Sequence, residues 1–238
     1  MSGVVGKHMK VILLDDSKDY IQYASNILKT CGHDIEIIDS FHEIQGFIHA
    51  VYERSYDIAL IDYKLGNSTG LDLIENEMIS VPYIIIMTMH NSLSIAKNCF
   101  KHHIFRYITK DSFYEELNEA LQAIEKEMDQ KDIITIIHNG NPYDIDLKTV
   151  YAVYSQNHYV YFMNEKQTIA VRESLSEYRR HLLKSGFDFV KSNTLVNLHY
   201  VKSIERYKVI LTNNKHFLIS HNKFKHLQRR YLEVVCRG

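Results

Sequence analysis

The spacing of hydrophobic and polar residues changes near residue 132. Before that point, short apolar runs alternate with segments in which apolar residues recur every three or four positions, a pattern typical of strands followed by helices. After it, short runs of β-branched and aromatic residues are separated by turn residues. The 238-residue chain is therefore expected to form two domains, at 9–128 and 132–238, joined by a short polar link.

Five strand–helix pairs are predicted in the first half. The predicted strands are Lys10–Leu14, Ile35–Ile38, Ile58–Ile61, Tyr83–Met87 and Ile104–Ile108, and helices are predicted at Tyr20–Cys31, from Ile44, at Leu71–Met78, at Ser92–Phe100 and after Ser112. The sequence Ser40–Glu43 has the form of a capping box before the second helix. Regular alternation of this kind implies a doubly wound five-stranded parallel sheet.

The second half is predicted to be a mostly antiparallel β domain. Its predicted strands are Ile133–Ile137, Val150–Tyr154, His158–Met163, Thr168–Val171, Leu195–Leu198, Val209–Thr212 and Phe217–Ile219. Turns are predicted at Asn139–Pro142 and Asn164–Gln167. A helix capped by Ser174 is expected to end at Gly186, and a short amphipathic tail follows from Lys223.

The net charge of −1 conceals two oppositely charged halves. Residues 1–130 contain 11 Lys and Arg against 20 Asp and Glu, whereas the remainder contains 17 against 9. An excess of basic residues in one half favours nucleic acid as its partner. The absence of an apolar signal core near the N-terminus predicts a cytoplasmic protein.

Acidic residues follow two strands of the first half. Asp15 and Asp16 end the first strand, and Asp62 ends the third. The carboxyl ends of parallel strands lie at one edge of the sheet, so these carboxylates are expected to meet and to require a hard divalent cation, Mg²⁺. Thr88 and Lys110 end or follow two further strands at the same edge.

Together these groups predict a site that accepts a phosphoryl group. Asp62 is expected to be the nucleophile, Lys110 and Mg²⁺ to balance charge, and Thr88 to bond a phosphoryl oxygen. Each residue alone also fits a structural role, such as a strand-end cap, a helix cap or a solvated charge. The prediction depends on their convergence.

Residues 9 to about 128 resemble a response-regulator receiver domain. The resemblance rests on Asp15-Asp16, on Asp62 with Gly70 downstream, on Thr88, and on Tyr107-Ile108-Thr109-Lys110. It implies a flavodoxin-like fold and phosphorylation of Asp62 by a histidine kinase.

The same resemblance implies individual roles at the site. Asp16 would be a direct Mg²⁺ ligand, Asp15 would lie in the outer shell, and the Lys64 carbonyl would touch the metal. Thr88 and Tyr107 would form a switch pair. Receivers usually have Pro after the lysine. Asp111 stands there in this chain, so a trans peptide bond is expected.

The phrase Asn193–Ile204, with Leu218-Ile219-Ser220 later, resembles the LytTR DNA-binding domain, and the likeness covers about 132–235. It implies a ten-stranded β fold whose loops enter the major groove. It places base contacts at His158, Ser192 and Asn222, with Lys191, Asn193, His221 and Lys223 beside them. Phosphate contacts are expected from Arg172, Arg179, Lys225, Arg229 and Arg230. Asn222 would favour adenine.

The combination predicts a transcription regulator that dimerises when Asp62 is phosphorylated and binds repeated promoter elements. It resembles the Gram-positive quorum-sensing and competence regulators, the AgrA and ComE group, and it is not expected to be an enzyme. A Mg²⁺-dependent phosphotransfer enzyme would need an acid two residues after Asp62, where Lys64 stands. A signalling module whose β half binds protein or RNA, and a regulator controlled by dimerisation alone, also stay open.

Overall fold

A computed structural model describes residues 8–76, 79–89, 92–102, 104–128, 132–138 and 140–236. Apart from residues 52–54, which group with the second part, the chain divides near residue 130 into two compact units. No helix in these described ranges is both long enough and apolar enough to cross a membrane. The predicted link between the domains and the predicted helix end at Met78 include residues outside the described ones.

The first unit alternates strands and helices. Its elements are β1 (Met9–Leu14), α1 (Lys18–Thr30), β2 (Ile35–Phe41), α2 (Ile44–Glu53), β3 (Ile58–Asp62), β4 (Lys64–Leu65), β5 (Ser68–Thr69), α3 (Gly70–Asn76), β6 (Tyr83–Thr88), α4 (Leu93–Lys101), β7 (Arg106–Thr109) and α5 (Phe113–Met128). Five of these strands form one parallel sheet in the order β2-β1-β3-β6-β7. The predicted doubly wound sheet is confirmed.

Both faces of this sheet are covered by helices. Alternate residues of β1 enter two different clusters: Val11 and Leu13 pack with α1 and α5, while Ile12 and Leu14 pack with residues of α2 and α3. All five residues of β3 are buried. A central parallel strand that is apolar on both faces is expected in such a fold, and it delivers the Asp62 carboxylate to the sheet edge.

Two local predictions for this unit are wrong. Ser40 and Phe41 belong to β2, where they pair with Leu13 and Leu14 of β1, so Ser40 does not cap α2. The fifth sheet strand begins at Arg106 rather than Ile104.

The second unit consists mainly of strands. Its elements are β8 (Ile133–His138), β9 (Asn141–Asp146), β10 (Val150–Gln156), β11 (Tyr159–Asn164), β12 (Thr168–Val171), α6 (Leu175–Lys184), β13 (Phe187–Lys191), β14 (Thr194–Asn197), β15 (Val201–Glu205), β16 (Lys208–Leu211), β17 (His216–Leu218) and α7 (Phe224–Cys236), with 3₁₀ turns at Leu147–Thr149, Leu198–Tyr200 and His221–Lys223. Ten strands lie within the described part of this unit, all in antiparallel pairs.

A five-stranded sheet, in the order β12-β11-β10-β14-β13, separates two cores. The hairpin β8–β9 and helix α6 pack against one face, with Phe162 and Leu195 in that core. The sheet β15-β16-β17 and helix α7 contribute to the other core, which contains Met163 and Val196. The mostly antiparallel β domain predicted for this half is confirmed.

Strands β9, β13 and β15 have no counterpart among the predicted strands. The turn predicted at Asn139–Pro142 is wrong in its second half, because Asn141 and Pro142 pair with His138 and Ile137 of β8; Asn139 lies outside the described residues. The cap of α6 is confirmed, because the Ser174 and Glu177 side chains bond the backbone reciprocally. The Asn164 turn is confirmed by its side chain, which accepts from the amides of Lys166 and Gln167.

Candidate functional site

Three carboxylates meet at the carboxyl edge of the parallel sheet. Oxygen atoms of Asp15, Asp16 and Asp62 lie within 4.8 Å of one another. Asp15 is fully buried, Asp62 is almost so, and Asp16 is exposed. The cluster forms because β1 and β3 are adjacent and in register, with Leu14 opposite Ile61. The three acids therefore meet where the strand ends predict that they should.

Lys110 joins this cluster from the loop after β7. Its Nζ donates to Asp15 Oδ2 at 2.5 Å and lies 3.0 Å from Asp62 Oδ1. The Lys110 amide is held by the Thr88 carbonyl at 2.7 Å. The Lys110–Asp111 peptide bond is trans, as expected. A single ammonium therefore partly neutralises two buried carboxylates.

The charge at the cluster remains unbalanced. Burial raises the pKa of Asp62 to about 6, and the neighbouring carboxylates of Asp15 and Asp16 add to this, whereas Lys110 opposes it. Three clustered carboxylates offer only hard oxygen donors, the ligand type that Mg²⁺ prefers. The residues present therefore fit a magnesium ion.

The site opens into a pocket of about 570 Å³. Asp16, Asp62, Lys64, Thr88 and Lys110, all predicted from the sequence, line it. The position of the Lys64 carbonyl relative to a metal stays a prediction.

Tyr20 of α1 also lines this pocket, and the sequence does not predict it there. Its ring faces the Lys110 ammonium, with Nζ 4.3 Å from the ring centre. It packs against Tyr23 and Phe113 at 5.6 Å between centres. Its hydroxyl is buried and has no hydrogen-bond partner among the described residues. No sequence signal indicates a cation over a ring, because the two residues are 90 positions apart.

The loop after Asp62 is shaped by two glycines. Gly66 adopts a φ of +60° at the tip of the hairpin β4–β5, and its amide donates to Asp16 Oδ2 at 3.2 Å. At Gly70 a Cβ would lie 2.5 Å from the Asp62 carbonyl oxygen and 2.8 Å from Ile61 Cγ2. Only glycine therefore lets α3 start so close to the strand that carries Asp62.

The predicted switch residues lie on neighbouring strands. Thr88 ends β6, is buried, and stands opposite Thr109 in the register of β6 and β7. Tyr107 is half-buried, and its hydroxyl accepts from the Ser92 amide, just before α4, at 3.0 Å. A movement of Tyr107 would therefore break this hydrogen bond at the start of α4.

In the second unit, two predicted recognition turns meet. His158 lies at the turn between β10 and β11, and Ser192 and Asn193 at the turn between β13 and β14. Asn193 Nδ2 donates to the Ser155 carbonyl at 3.0 Å, and the Ser155 amide donates to the Asn193 carbonyl at 2.9 Å. His158 and Ser192 are exposed and line, with Asn193 and Arg172, a cavity of about 880 Å³.

The third predicted segment lies beside the start of the second turn. The Ser220 amide donates to the Val190 carbonyl at 2.8 Å, next to Lys191. His221 and Asn222 are exposed in the 3₁₀ turn that follows. The sequence-predicted recognition loops are therefore connected through β13 and β14.

The remaining predicted contacts are placed differently. Lys223 is buried, and Arg230 bonds Asp188 Oδ2 at 3.3 Å. Burial alone would raise the pKa of Asp188, but His226, Arg230 and Lys223 hold it well below its usual range. Arg229 pairs with Glu233 at 3.5 Å. The Lys223 contact needs correction, because this side chain is buried in the 3₁₀ turn before α7. Arg229 and Arg230 of α7 pair with acidic side chains, and their contacts with DNA stay predictions.

Two further predicted phosphate contacts are exposed to solvent. Arg172 and Lys225 are exposed. Arg179 instead faces the Phe189 ring at 5.7 Å, so it packs within the unit. The basic character of this half is therefore used partly for internal structure.

Two family models match the chain. Residues 11–122 match the response regulator receiver domain, and residues 141–231 match the LytTr DNA-binding domain. The resemblances inferred from the sequence are confirmed by these matches, one in each structural unit.

One relative matches nearly the whole chain, and two solved structures each match about half of it. The sensory transduction protein LytR of Staphylococcus epidermidis is 21% identical over 91% of this chain and 96% of its own length. A receiver domain protein from Methanospirillum hungatei covers 51% of this chain and 99% of its own, with 22% identity and a TM-score of 0.41. A LytTr DNA-binding domain from Bacillus cereus covers 43% of this chain and 98% of its own, with 18% identity and a TM-score of 0.37.

The carboxylate cluster lies in the part matched by the receiver model, and the exposed turns lie in the part matched by the DNA-binding model. The chain is therefore a two-component response regulator, in which phosphorylation of a receiver domain controls transcription through a LytTR DNA-binding domain.

Proposed function

We propose that Asp62 is the phosphoacceptor and that a histidine kinase supplies the phosphoryl group. One observation carries this proposal: Asp62 lies within 4.8 Å of Asp15 and Asp16 and within 3.0 Å of the Lys110 ammonium, at the bottom of an open pocket. This is the arrangement of a nucleophile beside groups that stabilise a charged transition state.

The transfer follows from this geometry. A carboxylate oxygen of Asp62 forms a new P–O bond while the N–P bond of the donor phosphohistidine breaks. The electron pair of that bond stays on the donor imidazole nitrogen, which takes a proton from water. Asp16, Asp62 and the Lys64 carbonyl would hold Mg²⁺, with Asp15 in the outer shell. When bound, Mg²⁺ supplies positive charge to the phosphoryl oxygens.

Thr88 and Lys110 receive the phosphoryl oxygens in this proposal. The Thr88 hydroxyl donates to one of these oxygens. The Lys110 ammonium, which donates to Asp15 in this structure, also donates to another. Tyr107 then leaves the Ser92 amide and turns inward. This change at the start of α4 favours pairing of two receivers through the face formed by Tyr107, α4 and α5. Phosphorylation shifts the population toward the pairing state only as far as the phosphoryl group stabilises that state more than the other.

The paired protein binds promoter DNA in the same proposal. His158, Lys191, Ser192, Asn193, His221 and Asn222 contact bases or lie beside them, and Arg172 and Lys225 contact phosphates. Two copies would occupy direct repeats. The protein works by binding and not by catalytic turnover, and it does so in the cytoplasm, where kinase and promoter meet. Membership of the quorum-sensing group stays a prediction.

Beryllofluoride with Mg²⁺ tests the first step. It should bind the wild-type protein and convert it to a dimer, measured by light scattering. Asp62→Asn is the matched control and should remain unchanged. Dimer formation by Asp62→Asn to the wild-type extent would contradict the assignment of Asp62.

Selection of duplexes from a random pool tests the second step. Asn222→Ala should change the preferred base at one position of each repeat, with a loss of about 1–3 kcal/mol for the preferred sequence. Arg172→Ala should weaken binding to all duplexes alike and reduce its salt dependence. If both variants lower affinity uniformly, Asn222 does not read a base.

A further inference from the structure

The turn between β15 and β16 has an unfavourable backbone. Arg206 has a φ of +44° and Tyr207 a φ of +62°. Two-residue hairpin turns with positive φ at both positions strongly favour Asn, Asp and Gly, and this turn has none of these. Strained residues of this kind persist only where surrounding contacts hold them, and they cluster at functional sites.

Tyr207 is held against the His221 segment by several contacts. Its ring stacks on the His221 ring, with centres 4.9 Å apart and planes inclined by 24°. Its hydroxyl lies 3.1 Å from His221 Nε2. The Ile219 amide donates to the Tyr207 carbonyl at 2.7 Å. The strained turn is therefore fixed to residues 219–221 by a ring stack and two hydrogen bonds.

This stack is not part of a core. Tyr207 is 42% exposed, and His221 and Asn222 are exposed as well. The Tyr207 ring also packs against Phe224, with ring centres 4.6 Å apart, so a second aromatic ring helps to hold it. Because the stacked pair is exposed, the contact buries little apolar surface and adds little to stability. Its main effect is to fix the orientation of the His221 ring.

Strain occurs at a second recognition turn too. Among the described residues, positive φ at a residue other than Gly or Asn occurs only at His158, Arg206 and Tyr207. His158 is a proposed base contact at the β10–β11 turn. Two separate hairpins of this unit thus have positive φ at residues other than Gly or Asn, and each lies beside a proposed contact with DNA.

We propose that Tyr207 is a positioning residue of the DNA interface, which holds the His221 ring so that His221 and Asn222 meet the base edges in a fixed geometry. This inference rests on the proposed function. In the tautomer whose Nε2 accepts from the Tyr207 hydroxyl, the His221 ring carries its proton on Nδ1. Nδ1–H is a donor for the acceptor atoms of guanine or thymine in the major groove.

The test compares the same substitution at two adjacent positions of one turn. Asn is favoured at positive φ, so Tyr207→Asn and Arg206→Asn both suit the backbone. Binding to a random duplex pool and melting temperature are measured for each. Tyr207→Asn should lower affinity for the preferred duplex about tenfold. It should also relax the preference at the base that His221 contacts, next to the base that Asn222 contacts. Its melting temperature should stay at that of the wild type or above it.

Arg206→Asn should retain the wild-type base preference and weaken binding to all duplexes alike, because it removes only a charge. Tyr207→Phe keeps the ring stack and loses the hydroxyl, so its preference should lie between those of the wild type and Tyr207→Asn. This variant decides the question if Tyr207→Asn is unstable.

The inference is overturned if Asn222→Ala changes the base preference while Tyr207→Asn and Tyr207→Phe do not. It is also overturned if Tyr207→Asn and Arg206→Asn have the same effect. If Asn222→Ala leaves the preference unchanged as well, the proposed reading of DNA by this segment has failed, and the role of Tyr207 fails with it.

Discussion

The two units build their functional surfaces in opposite ways. In the first unit, Asp15, Asp62 and Thr88 are buried at strand ends, and Lys110 contacts both acids. In the second unit, His158, Ser192 and Asn222 are exposed on turns. The first site is a cluster of buried groups in direct contact, whereas the proposed DNA contacts of the second site are exposed to water.

This difference has an energetic consequence. Buried charged groups interact strongly, so a change at one alters the protonation and position of the others. Exposed groups that share no contact act nearly independently, and their contributions to binding add. Substitutions in the first unit should therefore have large and non-additive effects, and those in the second unit smaller and additive ones.

The largest effect is expected from Gly70→Ala. The added Cβ would lie 2.5 Å from the Asp62 carbonyl oxygen, so the strand end must shift, at a cost of about 1–3 kcal/mol. Urea unfolding and beryllofluoride binding measure stability and function together. Gly46→Ala is the control, since its Cβ meets only the Phe41 ring at 3.0 Å or more. Equal losses in both variants would break the comparison.

The second effect concerns Asp62 and pH. Its pKa is raised by burial to about 6, so the folded state binds the proton more tightly than the unfolded state. Stability from this group is present at low pH and is lost as pH rises from about 4 to 6. At pH 7.5 without metal, Asp62→Asn should be more stable than the wild type by up to about 3 kcal/mol.

Chelation and titration sharpen this prediction. The advantage of Asp62→Asn should shrink toward pH 4.5, and Mg²⁺ should stabilise the wild type but not the variant. Urea unfolding in EDTA and then in Mg²⁺ supplies both measurements. An advantage that is the same at every pH would mean that charge burial at Asp62 is not its cause.

A smaller effect is expected at Tyr20. Tyr20→Leu removes the ring that faces Lys110 at 4.3 Å, a contact worth about 1–2 kcal/mol. Phosphorylation by acetyl phosphate should slow about tenfold. Tyr20→Phe should keep the wild-type rate, because the hydroxyl has no hydrogen-bond partner in the described residues. Tyr23→Leu changes the same aromatic group and is the control. If it slows phosphorylation as much as Tyr20→Leu does, the contact between the Tyr20 ring and Lys110 is not the cause.

The smallest effect is expected at Asn193. Asn193→Ala removes its bond to the Ser155 carbonyl, which is exposed and worth about 1 kcal/mol or less. Melting should change little, and DNA affinity should fall by an amount that adds to that of Arg172→Ala. Strong non-additivity of these two substitutions would show that the exposed turns are coupled like the receiver cluster.

The same contrast explains what the sequence can predict. Strand β3 and its terminal Asp62 follow from the sequence because a buried parallel strand is a continuous apolar run. Partners within the cluster follow from the rule that strand ends share one edge. The contact of Tyr20 with Lys110 does not follow, since it depends on the packing of α1 against the loop after β7.

In the second unit, pairing overrides local signals. Asn141 and Pro142 have turn character, yet their pairing with β8 makes them part of β9. The 3₁₀ turn at His221 and the strain at Tyr207 depend on contacts between segments that are distant in sequence. The burial of Lys223 and the pairing of Arg230 depend on Asp188, whose partners no periodicity indicates.

Asp188 links the last helix to the strand that leads to the Lys191 turn. Its carboxylate is buried, and His226 and Arg230 bond it from α7 at 3.0 and 3.3 Å. Loss of α7 would leave that buried anion without its two helical partners and would also remove Leu227 from the core. Helix α7 thus supports the strand that leads to a proposed recognition turn, although it carries no proposed base contact itself.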